Sequence, residues 1–354
     1  MDNLAITYKH IADILSFETI DTELEKTLSH SKFNWDAIVV EGSKHLVLPA
    51  LYCRLKTKQL LHVLPNELNT YLEEITTINR NRNTSILTQI HLLSKLFNQH
   101  NINHLFLKGT ALLVADYYDD IAERMIGDID ILVDLSQIES AYKLLKSNAY
   151  IPIKQTFGHT FFEHKHLPRL KTKQHICAVE LHRKLFVSYK DKNLTNENLL
   201  ACKQKKNNIS IPSKEHLLNH NILNYQINDH GHLYNSISFK SIYDTISLLR
   251  KHTMPIKAYK SRVFKKYFRL AGLFFEDIEK VSGLKQNFTI YFYTFKLKHI
   301  KFYKFWNRLL KLIHFFTILL KRIPQFLTNK AYRNALFADR KRVFKYFISV
   351  LNNS

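Results

Sequence analysis

Apolar positions recur at two periods along the chain, and the change of period divides it. From Asp36 to Leu55, interrupted at Pro49, and from Pro65 to Asn98, apolar residues fall three and four apart, the spacing of one-faced helices. Leu87, Ile90, Leu93 and Leu96 make the second face. The period then shortens. His104-Leu105-Phe106-Leu107 is too short an apolar run for a helix and ends at Lys108-Gly109-Thr110, which predicts a strand turning into a helix capped by Thr110. That helix should run to about Tyr118, where Asp119-Asp120 breaks it. A linker with Glu123, Arg124 and Gly127 leads into Asp128-Ile129-Asp130-Ile131-Leu132-Val133, whose alternation predicts a strand. Ser136 to Asn148 reads as a helix capped by Ser136, and Tyr150 to Phe186 as three strands near Tyr150–Lys154, Thr160–His166 and His175–His182. Ile211-Pro212-Ser213 opens another helix with Ser213 as its cap.

The alternation carries the chemistry. A period of two puts Asp128 and Asp130 on one strand face, within one metal ion's reach of each other. Two carboxylates so close repel, and a hard divalent cation bound through oxygen lets both stay ionised. The alternative for each residue alone is ordinary: Asp-x-Asp as a solvated strand end, Lys108 as a strand terminus, Arg124 as an ion-pair partner of Asp128.

Composition narrows the class. A chain of 354 residues with only 7 Gly and 7 Pro reads as helix-rich, with two or three domains. Cys53, Cys177 and Cys202 are odd in number and widely spaced, which supports neither a disulfide framework nor a Cys-only zinc site, and the expected compartment is a reducing cytosol. His159, His164, His166, His175 and His182 cluster without an established zinc spacing. The start of the chain shows no signal peptide. The net charge of +22 is uneven: residues 251–354 hold 23 Lys and Arg against 4 Asp and Glu, so the body is nearly neutral. Between Ile300 and Arg322, Lys301, Lys304, Arg308 and Lys311 interleave with Phe302, Phe305, Trp306, Leu309, Leu310, Ile313 and Phe316 at helical spacing. No uncharged run there reaches the roughly 20 residues a membrane span needs. Three uses of this tail stay open: an anionic membrane surface, RNA or other nucleic acid, and packing on the body.

Leu107-Lys108-Gly109-Thr110-Ala111-Leu112, Arg124 and Gly127-Asp128-Ile129-Asp130-Ile131-Leu132-Val133 together resemble the nucleotidyltransferase superfamily with the polymerase-beta-type core, and more closely its poorly characterised bacterial branch. The usual Gly-Ser turn is Gly109-Thr110 here, and a longer helix separates it from the aspartates. The resemblance runs from about Trp35 to Leu249. It implies an α+β fold, a small mixed β-sheet nucleotidyltransferase core flanked by N- and C-terminal helical regions. The expected divisions are a helical region over 1–100, the core over 101–186, a helical lid over 187–250 and the basic aromatic tail over 251–354. It further implies that Asp128 and Asp130 hold Mg²⁺ (or Mn²⁺) on a nucleoside triphosphate, with Glu180 of Ala178-Val179-Glu180-Leu181-His182 as third ligand and catalytic carboxylate. Lys108, Gly109, Thr110 and Arg124 would meet the nucleotide's phosphates, and a nucleoside monophosphate would pass to an acceptor hydroxyl. Trp35 and His45 belong to the resemblance but read as packing, and His220 and Asp244 as structural ties of the lid. The competing readings are a catalytically silent nucleotide-binding or interaction module, and a cationic protein acting through its tail. The implied location is cytoplasmic, peripheral at the membrane if the tail meets lipid.

Overall fold

The computed structural model describes residues 3–153, 160–187, 189, 191–192, 194–250, 261–283 and 287–352. Five helices open the chain: α1 (Leu4–Leu15), α2 (Asp21–Leu28), α3 (Trp35–Lys44), α4 (Leu48–Thr57) and α5 (Asn66–Gln99). Pro49 enters α4 in its first turn, where a missing N–H costs nothing, so the expected interruption is the gap between α3 and α4. In α5 the buried positions Leu72, Thr76, Asn79, Asn83, Ile86, Ile90, Leu93 and Phe97 alternate steps of four and three in a single seam. Leu87 and Leu96 flank that seam half-buried. Its apolar end packs in the core, and its polar middle is reserved for the site.

A five-stranded mixed sheet has the order β1-β2-β5-β4-β3, with β1 (His104–Phe106), β2 (Asp128–Val133), β3 (Ile151–Pro152), β4 (Leu170–Lys171) and β5 (Ala178–His182). Only β2 and β5 run parallel. Helix α6 (Lys108–Val114) follows β1, and α7 (Ile138–Ser147) follows β2. Beyond the sheet come α8 (Asn196–Ala201), the hairpin β6 (Gln204–Lys206) and β7 (Ile209–Ile211), α9 (Lys214–Leu223), the single turn α10 (Gly231–Tyr234) and α11 (Phe239–Arg250). The hairpin turns on Asn207-Asn208, both at positive φ, the pair of left-handed residues a two-residue turn requires.

The chain continues as α12 (Arg262–Gly272), α13 (Glu276–Ser282), α14 (Phe288–Lys298), α15 (Ile300–Thr328), α16 (Lys330–Ala338) and α17 (Arg340–Asn352). The basic region divides in its packing. Phe264, Tyr267, Phe268, Phe275, Tyr293 and Leu297 are buried in the same core as the N-terminal helices. Asp277 accepts hydrogen bonds from Ser16 Oγ and the Phe17 N–H, which ties α13 to the buried end of α1. Helix α15, by contrast, buries no residue fully. The fold is 65% helical with a small mixed sheet and helical flanks, the α+β class expected. Among the described residues no helix is long and apolar enough to cross a membrane.

Several local expectations differ. Thr110 lies inside α6, its hydroxyl donating to the Leu107 carbonyl, and the cap position is Leu107. That helix ends at Val114, short of Tyr118. Ser136 instead donates to the Asp134 carboxylate, and α7 begins after Gln137. Thr160–His166 forms no strand; only His166 bridges to His182, and the strand forms at Leu170–Lys171, past Pro168. Proline lacks the N–H a ladder needs, so pairing is broken there. Ser213 caps α9 as expected, accepting from the His216 N–H. His159 and Lys154 fall outside the described residues.

Candidate active site

Strand register assembles the acidic face. In the parallel pair Asp130 lies beside Glu180 and Leu132 beside His182, so a period of two puts Asp128, Asp130, Glu180 and His182 on the same side of the sheet. Leu170 pairs antiparallel with Val179, which sets Arg169 opposite Glu180. The polar middle of α5 holds the two strands at their entrances. Asn83 Nδ2 donates to the carbonyls of Ile121 (2.5 Å) and Arg124 (2.8 Å), Asn79 to that of Ala122 (2.6 Å), and Arg82 to that of Ile126 (3.1 Å). Two turns further, Gln89 exchanges two hydrogen bonds with the backbone of Cys177, just before β5. The helix therefore fixes where Asp128 begins and where Glu180 arrives.

The carboxylates are met by cations. Lys108 donates to Asp130 Oδ1 at 2.5 Å, and His182 Nε2 lies 2.8 Å from the same oxygen. Arg169 spans the other two, Nε to Glu180 at 2.8 Å and its terminal nitrogen to Asp128 at 2.9 Å. Burial works against the charge of Asp130, yet Lys108 and the His182 hydrogen bond hold its carboxyl well below the ordinary range. Glu180 is also lowered against burial, with His182 as the first cause. Asp128, half-buried and beside two other carboxylates, is raised by burial more than Arg169 lowers it. Lys108 reaches its partner from a left-handed backbone, φ +52°, which costs a non-glycine residue about 1 kcal/mol.

These residues fit a divalent cation. One ligand atom from each of Asp130, Glu180 and His182 can be chosen so that all lie within 4.8 Å of one another. His182 is fully buried, its Nε2 on the Asp130 carboxylate and its Nδ1 without a partner. Cys177 takes no part: its thiol donates to the Gly127 carbonyl at 3.2 Å, and burial pushes it up to about 11, so it offers no thiolate.

A second cluster lies under the turn. Arg124 is buried, its Nε 2.8 Å from Asp244 Oδ1, though the N–H is not directed at that oxygen. Its terminal nitrogen donates to the Met125 carbonyl, and Tyr118 donates to Asp244 at 2.7 Å. A Cβ on Gly109 would stand 3.3 Å from that guanidinium, so glycine here lets the turn sit on Arg124. Gly109 and Thr110 are buried behind Lys108. Lys108 and the three carboxylates are thus brought together, while Arg124 pairs with Asp244 and the partner of Asp128 is Arg169.

Against known proteins, the description that matches is that of an uncharacterised nucleotidyltransferase, over residues 31–267. The chain belongs to that family. The match takes in the acidic face, the helix that braces it and the Arg124–Asp244 cluster. No curated protein matches the chain.

Sequence reasoning missed Arg169 and the part of His182. The period of two that joined Asp128 to Asp130 also joins Glu180 to His182, so the histidine could have been found. Arg169 could not, because it only precedes a strand two residues long. His220 packs on Phe186 fully buried, its imidazole lowered to about 3 by burial and nearby Lys108. His45 meets Tyr8 and Phe239, and burial lowers it to about 4. Both are neutral packing residues.

Proposed function

We propose that this nucleotidyltransferase moves a nucleoside monophosphate from a triphosphate to an acceptor hydroxyl, with Asp128, Asp130 and Glu180 holding Mg²⁺ or Mn²⁺. What supports this is the placement of Asp130 and Glu180 at one register level of parallel strands, with Asp128 on the same face. A bound divalent ion supplies positive charge at the α-phosphate and acidifies the attacking hydroxyl. The acceptor oxygen forms a bond to the α-phosphorus as the bond to pyrophosphate breaks, and the hydroxyl proton passes to Glu180. Lys108 then has a second task. Paired with Asp130 here, it can offset charge on the departing pyrophosphate, with the backbone at Gly109 and Thr110 as further phosphate contacts. Arg124 acts as a positioning residue beneath that turn, and Arg169, the counter-cation of Asp128 and Glu180 here, would have to leave them for those carboxylates to hold a metal ion. A triphosphate with Mg²⁺ or Mn²⁺ should raise the melting temperature, and Asp128→Asn with Asp130→Asn should abolish the rise while the protein still folds. Labelled triphosphates should leave label on an acceptor. An unchanged rise in the double variant would sink the assignment; a rise without transferred label would favour a silent nucleotide-binding module.

The tail adds a partner. Ile313, Phe316, Leu320, Ile323 and Leu327 follow steps of three and four along α15 and are 47% to 68% exposed, one apolar stripe facing solvent. Phe288, Tyr291 and Phe295 of α14 and Phe344 of α17 are exposed as well. Residues 300–352 carry twelve Lys and Arg against one acid, Asp339, so a second copy would meet like charge. The reading is an anionic lipid surface, with the stripe in the headgroup boundary. Vesicles containing phosphatidylserine should sediment the full-length protein and neutral vesicles should not, and Leu320→Ser with Leu327→Ser should release it. No binding at low salt, or RNA binding alone, would refute this.

A further inference from the structure

A cavity of about 170 Å³ lies among α10, α12 and the start of α14, lined by His232, Arg262, Lys266, Arg269, Asn287 and Thr289. Arg262, Lys266 and Arg269 stand four and three apart, on the face of α12 opposite to its buried Phe264, Tyr267, Phe268 and Ala271. Three cations and a histidine thus line one space, with no carboxylate among the described lining residues. Their mutual repulsion is unfavourable: burial and the charge of Arg262 together bring the Lys266 ammonium down to about 8. Arg269 Nε, a donor, and His232 Nδ1 are also buried without a hydrogen-bond partner. An orphaned buried N–H such as that of Arg269 is a cost that an acceptor-only ligand would remove. Lys266 is held in place by donating to the His232 carbonyl at 2.7 Å, and Thr289 adds a hydroxyl.

We propose that this cavity binds a phosphate-class anion. The lining supplies charge and hydrogen-bond donors, and guanidinium groups match phosphate oxygens two at a time. The start of α14, an 11-residue helix capped by Asn287, contributes partial positive charge on the same side. The space holds several waters, enough for phosphate or pyrophosphate. The site does not depend on the reading of the carboxylate face, and Arg269, Asn287 and Thr289 lie beyond the residues the family matches.

The experiment uses the full-length protein at constant ionic strength, with acylation of Lys266 followed by mass spectrometry while inorganic phosphate, pyrophosphate or glycerol 3-phosphate is added. Acylation of Lys266 should slow at least fivefold, with chloride at equal ionic strength giving no protection. Calorimetry should show the affinity falling tenfold or more in Arg269→Gln and in Lys266→Gln. It should survive Asp128→Asn with Asp130→Asn, which separates this cavity from the carboxylate face. Arg262 is exposed, so Arg262→Gln carries the test if a more buried variant fails to fold. Protection by the free ions alone supports a free-phosphate site, and protection by glycerol 3-phosphate as well supports one for a phosphate carried on a larger molecule. Equal protection by chloride, or undiminished affinity in all three cavity variants, would overturn the proposal.

Discussion

Removing Arg124 tests whether the turn at Gly109 rests on a buried ion pair. Arg124→Met keeps much of the side-chain length but leaves Asp244, 1% exposed, with the Tyr118 hydroxyl and the charge of Lys240 in place of its guanidinium partner. Breaking a buried pair by deleting one member costs about 3–5 kcal/mol, because the remaining charge is uncompensated. Asp244 is already raised by burial, against the lowering by Arg124. Without Arg124 its folded-state pKa rises further above the unfolded value. The sign follows: the protonated form is favoured in the folded state, so the deficit is smallest below the unfolded carboxyl pKa and grows as pH rises through the folded one. In Arg124→Met with Asp244→Asn the orphaned charge is gone while an oxygen remains for Tyr118. The double variant should therefore recover about 2 kcal/mol relative to Arg124→Met. Urea unfolding of the parent, Arg124→Met, Asp244→Asn and the double variant at pH 5 and pH 8 provides the measurement. Additive losses, or a single-variant deficit that does not grow with pH, would refute the reasoning. A fully stable Arg124→Met that had lost only nucleotide affinity would restore the direct phosphate contact implied by the family resemblance.

Glu123 should make stability fall with rising pH. Its carboxyl, buried, accepts from Tyr243 and is pushed up to about 7 chiefly by burial, so stability present below the unfolded carboxyl pKa is lost as pH rises toward 7. The expected loss is about 3 kcal/mol at most, and Glu123→Gln should flatten that part of the profile in thermal melts from pH 4 to 8. Gln89→Met leaves the Cys177 N–H and carbonyl unanswered and should cost about 2 kcal/mol in urea unfolding, with weakened metal binding by calorimetry because β5 loses its brace. A variant as stable as the parent would show that water replaces the side chain. Ile90→Ala, fully buried in the seam of α5, should cost about 2–5 kcal/mol, and a loss below 1 kcal/mol would mean the seam is loosely packed.

What the sequence by itself determined is what local spacing determines. The seam of α5, the two principal strands and the acidic face of β2 follow from periods of 3.6 and 2, which side-chain geometry sets within a few residues. The Leu107 to Val133 motifs gave the family, and with it the α+β class. Short elements were not legible. A two-residue β4 has no period, Pro168 shifted it away from the expected Thr160–His166, and the Asn207-Asn208 hairpin is too brief to stand above its surroundings. Partners of charge were decided by tertiary structure alone. Arg124 meets Asp244 across 120 residues and Arg169 crosses 41 to reach Asp128, contacts that register and helix packing bring about. The basic tail shows the same division: its charge is plain in the sequence, but α12 to α14 entering the core while α15 keeps a bare apolar stripe is not. Local spacing says which face of an element is apolar; only the packed chain says which of those faces finds a partner.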